Sequence, residues 1–158
     1  MKILAVLGEG GHTKEMLTLI ALLSARNEFG YVLVRDDDLS EQKLAVPGPV
    51  FRVIRPRDKA HNLLNDARKF ALCMGQAAGI VRRFRPRAML STGPSVAVPV
   101  ALVCRLMGVK VIFVETGSRV TALSGTGRIM YRIANLFLVQ WEPLLEQYPR
   151  AVYAGRLC

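Results

Sequence analysis

Gly8-Glu9-Gly10-Gly11-His12-Thr13 puts three glycines and a histidine in six residues, directly after a short apolar run. Glycines let a backbone come close to a ligand, and the free N–H groups of a helix starting here would attract an anion. A histidine at such a mouth can take a proton from a hydroxyl or bind an anion. For the glycines alone, a tight turn without a ligand is the alternative. The spacing lacks the third glycine of a G-x-G-x-x-G turn, and Arg35, not an acid, follows the second apolar run. Both departures disfavour a dinucleotide site. Gly93-Pro94-Ser95 repeats the glycine turn further on, where Ser95 either caps the next helix or helps line an anion site. Glu115 closes another apolar run and is followed by Ser118-Arg119. That carboxylate is either paired inside the structure or turned to a cleft, and Arg119 can neutralise it or hold a phosphate.

These residues need elements to position them. Apolar runs at Lys2–Leu7, Phe29–Val34, Val50–Ile54, Ala88–Ser91, Val109–Val114, Leu136–Gln140 and Ala151–Tyr153 read as buried strands. Between them fall helical patterns at about 13–26, 60–85, 96–107, 125–134 and 142–147. Pro86 stops the second helix, and Gly108 is expected to close the third. Residues 36–49 read as a polar, proline-containing loop. Alternating strands and helices give the fold class as α/β, a doubly wound, Rossmann-like and mostly parallel sheet. The whole span 1–158 reads as a single domain. In that fold the glycine turns, His12 and Glu115 all gather at the carboxyl edge of the sheet.

Composition narrows the partners. The net charge is +10, and residues 51–90 alone hold ten Lys or Arg against two acids, so an anionic partner on one face is expected. Arg82, Arg83, Arg85 and Arg87 are the densest run and are read as membrane-facing. Only 7% of residues are aromatic and no nucleic-acid-binding motif is present, so nucleic acid is not the expected partner. Three widely spaced cysteines with no C-x-x-C pair fit a reduced compartment, and neither histidine has neighbours at zinc-ligand spacing. There is no signal-peptide pattern and no apolar run of about 18 residues, so membrane association is expected to be peripheral, at the cytoplasmic face.

The sequence resembles the acceptor-side, membrane-recruiting subunits of split GT-B glycosyltransferases. That family includes the membrane subunit of the UDP-GlcNAc:dolichyl-diphosphate-GlcNAc transferase and bacterial capsule and exopolysaccharide subunits. The resemblance rests on Gly8–Met16, Ser91–Pro94, Val114–Val120, Leu123–Gly127, Val139–Glu142 and Tyr148–Leu157, and covers nearly the whole chain. A weaker likeness reaches the N-terminal half of the lipid II-forming GlcNAc transferase.

The resemblance implies a subunit that binds a lipid-diphosphate-linked sugar while a donor-binding glycosyltransferase subunit holds the UDP-sugar. The chain ends where a linker to a second domain would begin, which gives the same expectation of a separate partner. It implies no metal and no cofactor. His12 and Glu115 are the catalytic candidates, with His12 as base and Glu115 as orienter or alternative base. Gly10, Gly11, Thr13, Gly93, Ser95, Ser118 and Arg119 are the candidates for acceptor or diphosphate binding. Glu9 departs from the family's small hydroxyl residues and is expected to point away. The alternative function is a non-catalytic membrane scaffold that recruits and activates a catalytic subunit.

Overall fold

The computed structural model describes residues 1–8, 11–56 and 63–157. Gly10 and Glu9 of the glycine turn, and the basic residues Arg57 and Lys59, lie outside them. Seven strands form one sheet: β1 (Lys2–Val6), β2 (Glu28–Val34), β3 (Val50–Val53), β4 (Ala88–Ser91), β5 (Lys110–Val114), β6 (Leu136–Val139) and β7 (Val152–Tyr153). Their order is β3-β2-β1-β4-β5-β6-β7, and every pairing is parallel. The helices are α1 (Gly11–Leu23), α2 (Asp38–Gln42), α3 (Leu63–Phe84), α4 (Ala97–Leu106), α5 (Gly125–Ile133) and α6 (Leu144–Gln147).

Strands covered on both faces must be apolar in nearly every position, and β1 and β2 are. The two-residue period then divides their side chains between two cores. Leu4, Val6, Val32 and Val34 face the side packed by α3 and α4 residues such as Cys73, Ala77, Val100 and Ala101. Ile3, Ala5, Leu7, Phe29, Tyr31 and Leu33 face the side packed by Met16 and Ile20 of α1. The strand order reverses direction between β1 and β4. Connections leaving these two strands diverge to opposite sides, which opens a crevice at the carboxyl edge.

The expected fold is the one found, with two local differences. Residues 38–42, inside the expected loop, form α2. The Asp37 carboxylate caps it by accepting from Ser40 N at 3.0 Å, which is why five residues suffice. Arg52 pairs with Asp38 at 2.7 Å and with Glu41, so this arginine serves the fold and not a general cationic surface. At the end of α3, Arg85 adopts a left-handed conformation with φ 52°, because Pro86 cannot continue a helix. Gly108 closes α4 as expected, with φ 76°.

α3 also separates two groups of cations that sequence proximity merges. At 22 residues it is about 33 Å long. Its outer face carries Leu64, Arg68, Ala71, Leu72, Gly75, Gly79, Arg82 and Arg83, all exposed. Arg82, Arg83, Arg85 and Arg87 sit at its C-terminal end, where Arg87 N donates to Lys2 O at 2.9 Å and Arg87 O accepts from Lys110 N at 3.2 Å. Lys2 and Lys110 begin their strands, so this basic pole lies at the amino edge of the sheet, opposite His12.

Candidate functional site

His12 lies in the first turn of α1, half-buried, where β1 hands over to that helix. Its Nδ1 is 2.8 Å from Thr92 O, the carbonyl just beyond β4. A carbonyl oxygen only accepts, so Nδ1 carries a proton, and in the neutral imidazole the lone pair is on Nε2. Thr92 Oγ1 returns a bond to His12 O at 2.8 Å, so two strand ends clamp the histidine between them. The neighbouring residue has to be glycine: Gly93 has φ 120°, and a Cβ there would lie 2.8 Å from His12 Cε1. The neutral imidazole therefore has one tautomer, its ring is held against the Thr92–Gly93 backbone, and Nε2 has no hydrogen bond to another described residue.

Two cavities flank this histidine. The larger, about 920 Å³, is lined by Gly8, Gly93, Pro94 and Ser95 on the strand-end side. Arg55, Phe70 and Ile129 line it elsewhere, and Ser124, Gly125 and Thr126 at the start of α5. The smaller, about 460 Å³, is lined by His12, Lys14, Glu15, Thr116, Gly117, Ser118, Gln140 and Arg156. Among the described residues, His12 is the one side chain common to both.

Glu115 is not in either lining. It is wholly buried, and its carboxylate is used inside the protein. Oε2 accepts from Ser124 N and Ser124 Oγ, both at 3.1 Å, and Oε1 accepts from Thr116 N at 3.0 Å. Burial pushes this carboxyl above the ordinary range, against the Ser124 and Thr116 hydrogen bonds and the Arg119 charge that pull it down. Ser124 Oγ in turn caps α5 by accepting from Gly127 N at 2.8 Å. A Cβ on Gly127 would fall 1.7 Å from Glu115 Oε2, so glycine is required for the carboxylate to fit. Of the two readings that the sequence leaves open for Glu115, the paired one matches this geometry: its hydrogen bonds tie the residues after β5 to the start of α5.

The remaining candidates divide. Gly93 and Ser95 line the large cavity, and Ser118 the small one. Ser95 is exposed to its cavity and does not cap α4: Val96 holds the cap position, without a side-chain bond. Thr13 is buried, because its hydroxyl donates to Gly8 O and meets Ser40 Oγ at 3.2 Å, and it is not open to a diphosphate. Gly11 opens α1, and Arg119 is exposed beside Glu115 and lines neither cavity. Gly10 lies outside the described residues. Among the described residues, no group of three or more His, Cys, Asp or Glu is disposed to hold a metal ion.

Two residues central to the site escaped sequence reasoning. Glu15 is 7% exposed, and its Oε1 accepts from Gly117 N at 2.7 Å, Thr116 Oγ1 at 3.2 Å and Gln140 Nε2 at 3.2 Å. Gln140, at the end of β6, also donates to Glu115 O at 3.1 Å and accepts from Leu157 N at 2.9 Å. Together they tie α1, the β5 loop, β6 and the C-terminal tail at one point. The available signal was a charged residue among the buried positions of α1, one turn from His12.

A parallel seven-stranded sheet with its crevice at the β1/β4 reversal is the Rossmann-like half of the GT-B glycosyltransferase architecture. Among solved structures, the MurG of Acinetobacter baumannii is similar over 98% of this chain, at a TM-score of 0.79 and 17% identity. The chain spans 45% of that protein's length. The family model "Oligosaccharide biosynthesis protein Alg14 like" matches residues 3–157, and the chain belongs to that family. Its relatives include the proteins named UDP-N-acetylglucosamine transferase subunit ALG14 of Mus musculus and Schizosaccharomyces pombe. They are 32% and 33% identical, over 99% and 97% of this chain and 83% and 81% of their own.

Proposed function

We propose that this chain is the acceptor-side subunit of a two-protein glycosyltransferase. It binds a lipid-diphosphate-linked saccharide while a partner presents the UDP-sugar, which the relatives' names suggest is UDP-GlcNAc. One observation carries the reading: His12, its Nδ1 bonded to Thr92 O, stands between two cavities at the crevice of a sheet like that of MurG. The larger cavity is big enough for the sugar of the acceptor, since small-molecule sites run from about 300 to 1,000 Å³.

In this reading the acceptor hydroxyl oxygen bonds to the anomeric carbon of the donor sugar. The bond from that carbon to the β-phosphate oxygen breaks, its electron pair leaves with UDP, and the acceptor proton passes to His12 Nε2. Gly93 and the Thr92 carbonyl hold the imidazole for that transfer. Glu115, through Ser124, sets the rim of the acceptor cavity.

No described helix is long and apolar enough to cross a membrane. Membrane approach is assigned to the outer face of α3. A helix lying flat presents Leu64, which is 86% exposed, and Leu72 to the acyl boundary, with Arg68, Arg82 and Arg83 to anionic headgroups. Leu64 is next to the acceptor cavity's Asp66 and Ala67, so the same face brings a lipid-linked substrate to the opening. The localisation that follows is peripheral, on the cytoplasmic leaflet.

The test is reconstitution with a donor-binding companion on vesicles containing anionic lipid, scored by transfer of labelled GlcNAc from UDP-GlcNAc to a polyprenyl-diphosphate saccharide. Both chains are expected to be required. Transfer at full rate by either chain alone would refute the two-protein reading. A scaffold role predicts instead that His12→Ala leaves the rate intact while loss of vesicle binding abolishes it.

A further inference from the structure

The smaller cavity differs in chemistry from the acceptor cavity. Two of its lining side chains, Lys14 and Arg156, are cations, and neither is in a salt bridge with another described residue. Lys14 sits in the first turn of α1, where the helix dipole adds positive potential. Arg156 comes from the segment after β7, and no hydrogen bond from its guanidinium to another described residue is present. Its guanidinium carbon lies over the Trp141 ring, 4.3 Å from the centroid, and the indole Nε1 donates to Gly117 O at 2.7 Å. The adjacent Leu157 N is fixed to Gln140 Oε1. Arg156 thus brings a permanently charged group, with five N–H donors, to the cavity wall, a group suited to phosphate oxygens. The negative charge of Glu15 is turned inward: Oε1 takes three donors, and Oε2 is enclosed without a partner.

We propose that this pocket is a diphosphate subsite, with Arg156 and Lys14 as its cations and Ser118 at its edge. The identity of the ligand rests on the glycosyltransferase reading above, in which both substrates carry a diphosphate: the nucleotide sugar and the lipid-linked acceptor. The pocket shares His12 with the acceptor cavity, so a diphosphate here is adjacent to the residue that takes the proton. If it is the donor's, the cations stabilise the charge that builds on the β-phosphate oxygen as the glycosidic bond breaks. If it is the acceptor's, they fix the saccharide in register with His12. In both cases the C-terminal tail completes the site, which is why Gln140 and Trp141 are spent on holding it.

The experiment is calorimetric titration of the whole chain with inorganic pyrophosphate, without the companion, at fixed moderate salt. Arg156→Gln and Lys14→Gln are each expected to weaken binding about tenfold, the loss of one charge-assisted contact. Arg105→Gln, which removes one charge from the exposed end of α4, is expected to leave it unchanged. Arg156→Lys, which keeps the charge and loses the guanidinium's donors and its place over Trp141, should bind between wild type and Arg156→Gln, which guards against a variant that merely misfolds. Displacement of pyrophosphate by UDP assigns the subsite to the donor, and displacement by a short-chain polyprenyl diphosphate assigns it to the acceptor. The proposal is overturned if the wild-type chain does not bind pyrophosphate, if Arg105→Gln weakens binding as much as Arg156→Gln, or if neither diphosphate competes. An intact pyrophosphate site in a chain that supports no sugar transfer with any companion would leave the subsite standing and remove the enzymatic reading.

Discussion

Gly127→Ala places one methyl group where the structure has no room for it. The new Cβ would lie 1.7 Å from Glu115 Oε2, 2.9 Å from its carboxyl carbon and 3.0 Å from Ser124 Oγ. Glu115 has no exposed surface, so its carboxylate has to rotate away from Ser124. Two hydrogen bonds to that oxygen, each 3.1 Å, are then lost. A bond to a charged group is worth about 1.5–3 kcal/mol, so the loss is roughly 3–6 kcal/mol. Alanine returns about 1 kcal/mol in helix propensity, leaving a net destabilisation of roughly 2–5 kcal/mol. That is a large share of a typical total of about 5–15 kcal/mol. Gly125→Ala is the matched control, two residues earlier in the same helix, with nothing within 4 Å of the place its methyl group would take. Urea unfolding followed by circular dichroism is expected to show a lowered midpoint for Gly127→Ala and an unchanged or raised one for Gly125→Ala. Equal midpoints would refute the claim that Glu115 works by clamping this loop.

Three further outcomes are expected. Burial raises the Glu115 carboxyl, so the native state holds its proton to higher pH than the unfolded chain does; this group's contribution to stability is full below the ordinary carboxylate range and falls as pH rises through the raised value. Glu115→Gln should remove that downward slope from unfolding free energies measured as pH rises above the ordinary carboxylate range, and an unchanged slope would contradict the assignment. Arg85→Gly should raise stability by up to about 1 kcal/mol, since φ 52° costs a side-chain-bearing residue roughly 1–2 kcal/mol and glycine little; a lower melting temperature would count against it. Burial lifts the thiols of Cys73 and Cys104 to about 11 and about 12, so peptide mapping after alkylation near neutral pH should find both unmodified in the folded chain and modified in urea.

Much of the fold was legible because parallel strands and their covering helices leave strong periodic marks. The continuous apolar runs of β1, β2 and β5 and the three- and four-residue spacing along α3 each admit one good solution. The place of His12 and Gly93 at the carboxyl edge of the sheet was legible too, since both directly follow or flank apolar runs that read as strands. What escaped depends on distance through space. Glu15 looks like a surface acid on a helix until residues 101 and 125 positions away converge on its Oε1. Glu115 ends a strand, which leaves a paired and a cleft-facing reading open along the chain, and only the return of Ser124 and Gly127 over it separates the two. The basic stretch reads as one patch along the chain, yet Arg52 is paired with α2, and the length of α3 carries its last arginines to the opposite edge of the sheet.

The role given to His12 is tested most directly by the turnover of His12→Gln in the reconstituted two-chain enzyme, compared with wild type at saturating UDP-GlcNAc. Loss of a positioned general base should lower kcat by about 10²–10⁴-fold while companion binding and vesicle binding stay as they were. A kcat within a few-fold of wild type would mean that the proton leaves by another route and that the histidine between the two cavities is only part of the wall.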